Sequence, residues 1–206
     1  EWSNNDELLN EFKSIGFYMS DHPLNIYKDY FKEMKIISFK NFNETNNSNA
    51  VVCGTIMSIQ EKKSSKGTPF AIIKFSDLES EFELFLFSDL LIKNRDKLKE
   101  SSSFILTVQK EKSLINSDTT RINIKNILRL EDFMNKTYKD VTIEINGKSD
   151  LNELNKLLEQ SGNTRIVIKV NKINKIYTFS LKKPRNFDFS TFSHIKNKEY
   201  VKKISF

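Results

Sequence analysis

The sequence predicts a mainly β chain with an α+β remainder: a five-stranded barrel, preceded by a helical segment and followed by a small α+β domain. Three observations predict it. The hydrophobic period changes from helical to alternating near residue 50. Five apolar runs and one helical stretch then follow within about eighty residues. After residue 139, strand-like and helix-like segments alternate. The corresponding boundaries are 1–48, 49–132 and 138–206.

The lead-in opens with DELLNEFKSIGFYM, residues 6–19, where Leu8, Leu9, Phe12 and Ile15 recur at three- and four-residue spacing. Gly16 ends or loosens that helix. Pro23 fixes its own backbone and pushes His22 out of the helical region, so residues 20–24 read as a turn. A second short helix covers 24–34, with Tyr27, Tyr30 and Phe31 on one side. Residues 41–49, NFNETNNSN, read as a polar boundary loop.

The strands of the middle region are 51–59, 70–75, 81–87, 104–109 and 121–130. Residues 61–68, EKKSSKGT, form a basic turn, and 77–80 a tight one. Ser88 or Asp89 caps a helix running to residue 99. The order strand-strand-strand-helix-strand-strand is that of an OB-fold, a Greek-key barrel with a helix between its third and fourth strands. A small sandwich has the same strand count. Residues 131–139 read as a linker. Beyond it come a strand at 141–145 and a helix over 151–160, capped by Ser149 or Asp150 and stopped by Gly162. A hairpin of 165–170 with 176–181, a short helix near 190–197 and a last strand at 200–204 close the chain.

Composition sets the limits. The 206 residues hold 33 Lys+Arg against 27 Asp+Glu, a net charge of +6. Lys outnumbers Arg 28 to 5, and there are 22 Asn and 17 Phe, a bias that weakens lysine enrichment as a sign of nucleic-acid binding. Charge is graded along the chain: −3 over 1–50, +3 over 51–130 and +6 over 131–206. A basic surface gathers polyanions by counterion release. No apolar run is long enough for a membrane span, and no secretory signal is visible. Cys53 is the single cysteine, which excludes an internal disulfide framework or cysteine-based zinc site and fits a reducing, cytoplasmic compartment. Residue 1 is Glu, so the sequence reads as a fragment of something larger.

No motif of nucleotide-binding, metalloprotease or serine-hydrolase type is present. The two imidazoles, His22 and His194, fall in different proposed modules, and His22 before Pro23 reads as a structural hydrogen-bonder. Catalytic and metal-binding residues are therefore expected to be absent, as are cofactors. The barrel surface is the candidate site. OB-folds take single strands across strands two and three, between the loop after strand one and the loop joining strands four and five. Here the first loop holds Lys62, Lys63 and Lys66. The second holds Lys110 and Lys112, with Arg121 entering the fifth strand. Alternation sets Phe70, Ile72 and Lys74 outward on strand two, and Glu81, Glu83, Phe85 and Phe87 outward on strand three. Phe70 or Phe85 is placed to stack on a base, while Glu81 and Glu83 repel phosphate.

Residues 11–24, EFKSIGFYMSDHPL, resemble the segment just before the OB domain of the bacterial DNA polymerase III alpha subunit, through Gly16, Phe17, Tyr18, Ser20, His22, Pro23 and Leu24. The resemblance continues through residues 51–59, Lys66-Gly67-Thr68-Pro69, and Asp77-Leu78 leading into EFELFLF. The stretch LNELNKLLEQSGNTRIVIKV is similar to that subunit's C-terminal domain. One departure is Ser80, where the family often has Gly, which leaves the turn type open. The resemblance implies a non-catalytic C-terminal end of a DNA-directed DNA polymerase. Its OB domain would lie near single-stranded template DNA, and its last domain would dock the clamp-loader tau subunit within the holoenzyme. The palm carboxylates that hold Mg2+, and the clamp-binding motif, would lie upstream of residue 1. A structural, protein-interacting barrel and a free-standing binder of single-stranded nucleic acid are the alternatives.

Overall fold

The computed structural model describes residues 4–112, 120–136, 138–147, 151–173 and 175–206. The chain forms two compact units, Glu1–Phe31 with Lys35–Phe133, and Lys32–Met34 with Met134–Phe206. No helix among the described residues is long and apolar enough to cross a membrane.

Helix α1 (Asn4–Ile15) buries Leu8 and Phe12. It ends sooner than expected, because Gly16 takes a positive φ of 83° and donates its N–H to Phe12 O at 2.8 Å. A single 3-10 turn (Asn25–Tyr27) and α2 (Lys28–Glu33) follow. The segment read as a polar loop at 41–49 instead begins with a helix, α3 (Phe39–Glu44). Ser38 caps it by accepting from Asn41 N–H, and the fully buried Phe42 anchors it.

Strands β1 (Asn49–Lys63), β2 (Pro69–Ser76), β3 (Glu81–Phe87), β4 (Ser103–Lys112) and β5 (Thr120–Arg129) close into a ring of order β1-β2-β3-β5-β4. Closure depends on the length of β1, whose first half pairs with β4 and whose second half pairs with β2. A parallel contact of Phe85 with Asn123 completes the circuit. The inward set includes Val52, Ile56, Ile73, Phe75, Leu86 and Leu106, each fully buried. Each such side chain contributes about 1.5–3 kcal/mol.

Helix α4 (Ser88–Asn94) lies between the third and fourth strands and adds the buried Leu91 to this core. It is shorter than predicted, passing into a 3-10 turn at Arg95–Lys97. Neither Ser88 nor Asp89 caps it: Phe87 occupies the N-cap position without a side-chain bond. The stretch read as a linker begins as the continuation of a fifth helix, α5 (Leu130–Met134).

The second unit holds β6 (Asp140–Asn146), α6 (Leu151–Leu157), β7 (Ser161–Lys172), β8 (Lys175–Ser180), α7 (Phe189–Lys196) and β9 (Val201–Ser205). Its sheet order is β8-β7-β6-β9. β6 and β7 are parallel across α6, while β7 and β8 form the expected hairpin. The predicted caps Ser149 and Asp150 lie outside the described residues. Gly162 does not stop α6 but lies inside β7, where a Cβ would come within 2.4 Å of Asn186 N. That backbone approach requires glycine. Asp188 caps α7 by accepting from Thr191 N–H at 2.8 Å.

Candidate nucleic-acid interface

β3 alternates exposed and buried along its whole length, because EFELFLF sets Phe82, Leu84 and Leu86 into the ring. Glu81, Glu83, Phe85 and Phe87 are left outside. On β2 the same rule turns Ala71, Ile73 and Phe75 inward and leaves Phe70, Ile72 and Lys74 outward. The register then fixes rows across the outer surface: Lys62, Phe70 and Phe87; Gln60, Ile72 and Phe85; Ser58, Lys74 and Glu83.

Over the first two rows lies an open groove of about 750 Å³, lined by Phe70, Phe85, Phe87, Arg121, Glu83 and Asn123, with Ser64 and Thr68 at the turn after β1. Phe85 is 43 % exposed and Phe87 54 %. The Phe70 and Phe85 rings lie 6.2 Å apart, and Phe85 and Phe87 are stacked at 6.5 Å. Clustered, partly exposed rings beside one guanidinium are groups of the kind that can stack on flat π-systems and pair with an anionic backbone. Glu83 offsets part of that positive charge.

The expected residues divide between several surroundings. Phe70, Phe85 and Arg121 meet in the groove. Lys62 shares the face of Phe70 by register, and Lys66 stands exposed in the turn between Ser64 and Thr68. Both Lys62 and Lys63 lie on β1 rather than in a loop, so their side chains leave opposite faces of the strand. Lys74 lies on the outer face but pairs with Glu81 at 2.6 Å. Lys110 points elsewhere: its ammonium donates to the carbonyls of Phe42 at 2.8 Å, Asn43 at 3.1 Å and Thr45 at 2.5 Å, closing the C-terminus of α3. Lys112 ends β4, and its side chain lies outside the described part. The lysines thus do not share one rim. Phe87 and Asn123 were absent from the expected site. The alternation that exposes Phe85 exposes Phe87 equally, whereas Asn123 enters only through ring closure.

The other end of the β2–β3 hairpin is tied to the lead-in stretch, which buries Ser76 and Asp77. His22 Nδ1 accepts from Leu24 N–H at 3.1 Å, which leaves Nε2 to donate to Ser76 Oγ at 3.0 Å. Burial pushes the His22 imidazole below its ordinary range, against the opposing pull of Asp77 and Asp21. Asp77 itself accepts from Glu79 and Ser80 N–H at 2.8 Å each and from Phe39 N–H at 2.7 Å. That carboxylate organises the 77–80 turn with no positive φ, so the turn whose type was left open takes Ser80 without strain. Phe39 stacks on Phe82 at 4.1 Å. Glu11 receives the Ser20 hydroxyl at 2.5 Å and the Met19 and Ser20 backbone N–H groups, and these bonds hold its carboxyl below the usual range. Glu11, Gly16, Ser20 and His22 of the motif in residues 11–24 thus fasten the lead-in stretch, and His22 ties it to the ring.

No protein-family model matches the chain. Over 153 residues, 72 % of the chain, it is 26 % identical to DNA polymerase III subunit alpha of Rickettsia prowazekii, covering 12 % of that protein. Over 168 residues, 79 % of the chain, it is 26 % identical to DNA polymerase III subunit alpha of Rickettsia felis, covering 13 %. Over 90 residues, 42 % of the chain, it is 32 % identical to the subunit of Buchnera aphidicola, covering 8 %. The match thus spans about an eighth of the length of the first two relatives. By sequence this chain is similar to a short portion of the DNA polymerase III alpha subunit.

Proposed function

We propose that the chain is the non-catalytic C-terminal part of a replicative DNA polymerase III alpha subunit. Its first unit is an OB-fold that binds single-stranded template DNA, and its second unit docks the clamp-loader tau subunit. The observation that carries the DNA-binding half is the open groove over β2 and β3, where Phe70, Phe85 and Phe87 lie beside Arg121. Strand order, ring closure and a helix between the third and fourth strands support the OB reading. The relatives' shared identity supports the replication setting. The docking half rests on the resemblance of LNELNKLLEQSGNTRIVIKV. Polymerisation belongs to the larger protein, in whose palm the Mg2+ sites would lie.

The test is titration of a fluorescent single-stranded oligonucleotide at rising salt. Binding weakens with salt, with a slope of about −0.7 per phosphate contact. Phe85→Ala lowers affinity, and the triple change Lys62→Gln, Lys63→Gln, Lys66→Gln flattens the salt slope. Unchanged affinity in the triple variant removes those lysines from the site. A chain that ignores oligonucleotides at low salt supports a second reading, a barrel serving only protein contacts. That reading is favoured by the pairing of Lys74 with Glu81, by Glu83 in the groove and by the engagement of Lys110 with α3.

A further inference from the structure

The second unit leaves one sheet edge uncovered. Among the described residues β8 pairs with β7 alone, and all six of its residues are exposed. Leu181 N–H donates to Ile166 O at 3.0 Å, which extends that ladder. Residues along an antiparallel strand alternate between bonding the neighbour and facing away. Tyr177, Phe179 and Leu181 therefore turn their backbone groups toward β7, and Ile176, Thr178 and Ser180 present theirs to the open edge.

Side chains are uncovered there too. Tyr177 and Phe179 lie opposite the buried Val170 and Ile168, on the core face of the sheet. Even so, Phe179 is 53 % exposed, and on the other face Ile176 is 67 % exposed. A hollow of about 220 Å³ is lined by Leu151, Leu158, Ile168, Phe179 and Leu181, with Asn155 as its one polar residue. Lys172 and Lys175 stand at one end of the edge and Lys182 and Lys183 at the other, all exposed. No Asp or Glu occurs from residue 160 to 187, and among the described residues Glu199 is the one acid bordering the Lys172–Lys175 end.

Lysines also guard sheet edges against self-pairing. That role leaves the apolar hollow unexplained. A second copy in antiparallel pairing would set Lys175 of one chain against Lys182 and Lys183 of the other, with like charges opposed. An acidic chain meets no such repulsion.

We propose that the β8 edge takes an extended segment of a partner protein as an added strand, its acidic residues facing the flanking lysines and an apolar side chain entering the hollow beside Phe179. This deepens the docking half of the reading above, and rests on it only in that the second unit meets a protein.

The test uses the whole chain and two probes. One is a labelled peptide in which Asp or Glu alternates with Leu or Phe, compared with its Lys-for-acid counterpart. The other is the clamp-loader tau subunit. Thr178→Pro removes an outward-facing donor without breaking the β7 ladder, and circular dichroism establishes that the variant folds. The charge variant is Lys175→Glu with Lys182→Glu and Lys183→Glu. The acidic peptide binds at least about tenfold more tightly than its basic counterpart, and each variant loses about tenfold. Absence of peptide binding, or equal binding by Thr178→Pro, overturns the proposal. A dimer of the unaltered chain that Thr178→Pro dissolves also overturns it, in favour of a second copy. Tau binding that neither variant alters overturns the edge assignment while the docking reading stands. Peptide binding without tau binding keeps the edge and removes that docking reading.

Discussion

The two ends of the β2–β3 hairpin are built by the same alternation and meet different fates. At the Ser76–Glu81 end, His22 bonds Ser76 and Phe39 N–H reaches Asp77, so the lead-in stretch buries Ser76 and Asp77 while Glu81 stays exposed. At the Phe70–Phe87 end the outward positions carry phenylalanine, and Phe85 and Phe87 stay 43 % and 54 % exposed beside an open groove. Alternation decides which side chains leave the ring; distant segments decide which of those are hidden. The proposed binding surface is the part that the lead-in leaves open, and the two ends of the hairpin should respond oppositely to substitution.

The largest expected effect lies at the Ser76–Glu81 end. Asp77→Ala deprives three partly buried backbone N–H groups of their acceptor, and should cost about 3 kcal/mol in urea denaturation. A loss below about 0.5 kcal/mol would mean that the turn does not depend on this carboxylate. At the open end, Phe85→Ala with Phe87→Ala should weaken oligonucleotide binding by about 1–3 kcal/mol per stacked base. Because each ring is about half exposed, the accompanying stability loss should stay below that of Asp77→Ala, about 1–2 kcal/mol. The reverse pattern, lost stability with intact binding, would make the open end part of the fold.

Lys110 sharpens the contrast further. Its charge closes the C-terminus of α3, so Lys110→Met should cost about 1.5 kcal/mol of stability and leave oligonucleotide affinity unchanged. Weakened binding at full stability would return Lys110 to the interface. The smallest effect is that of His22. Its imidazole is held neutral, with a folded value below the ordinary 6.5. The stability it contributes is present above pH 6.5 and is lost as pH falls through the folded value. Melting curves across that window should show a fall that His22→Gln abolishes. A pH profile identical in the variant would assign the fall to other groups.

The central strands were legible because their side chains answer to local alternation. EFELFLF sets its inward and outward residues without reference to the rest of the chain, and Gly16 with Pro23 marks the end of the first helix. The errors fall where distant partners decide. Asn-rich residues 41–49 looked like a loop because what holds α3, the ring core that receives Phe42 and Lys110 on its last carbonyls, comes from other parts of the chain. Gly162 looked like a helix stop because its true constraint, the backbone of Asn186, comes from 24 residues away. The site was half visible for the same reason. Phe70 and Phe85 follow from alternation, whereas Lys63, Lys74 and Lys110 were placed together by sequence position and are separated by strand direction, by an ion pair and by a helix cap.

The most direct measurement is photocrosslinking of a 5-bromouracil single strand to the chain, followed by mapping of the adducts. The account predicts adducts at Phe70, Phe85 or Phe87, lost when unlabelled single strand competes. Adducts confined to the second unit, or no adducts under conditions where the strand is bound, would contradict it.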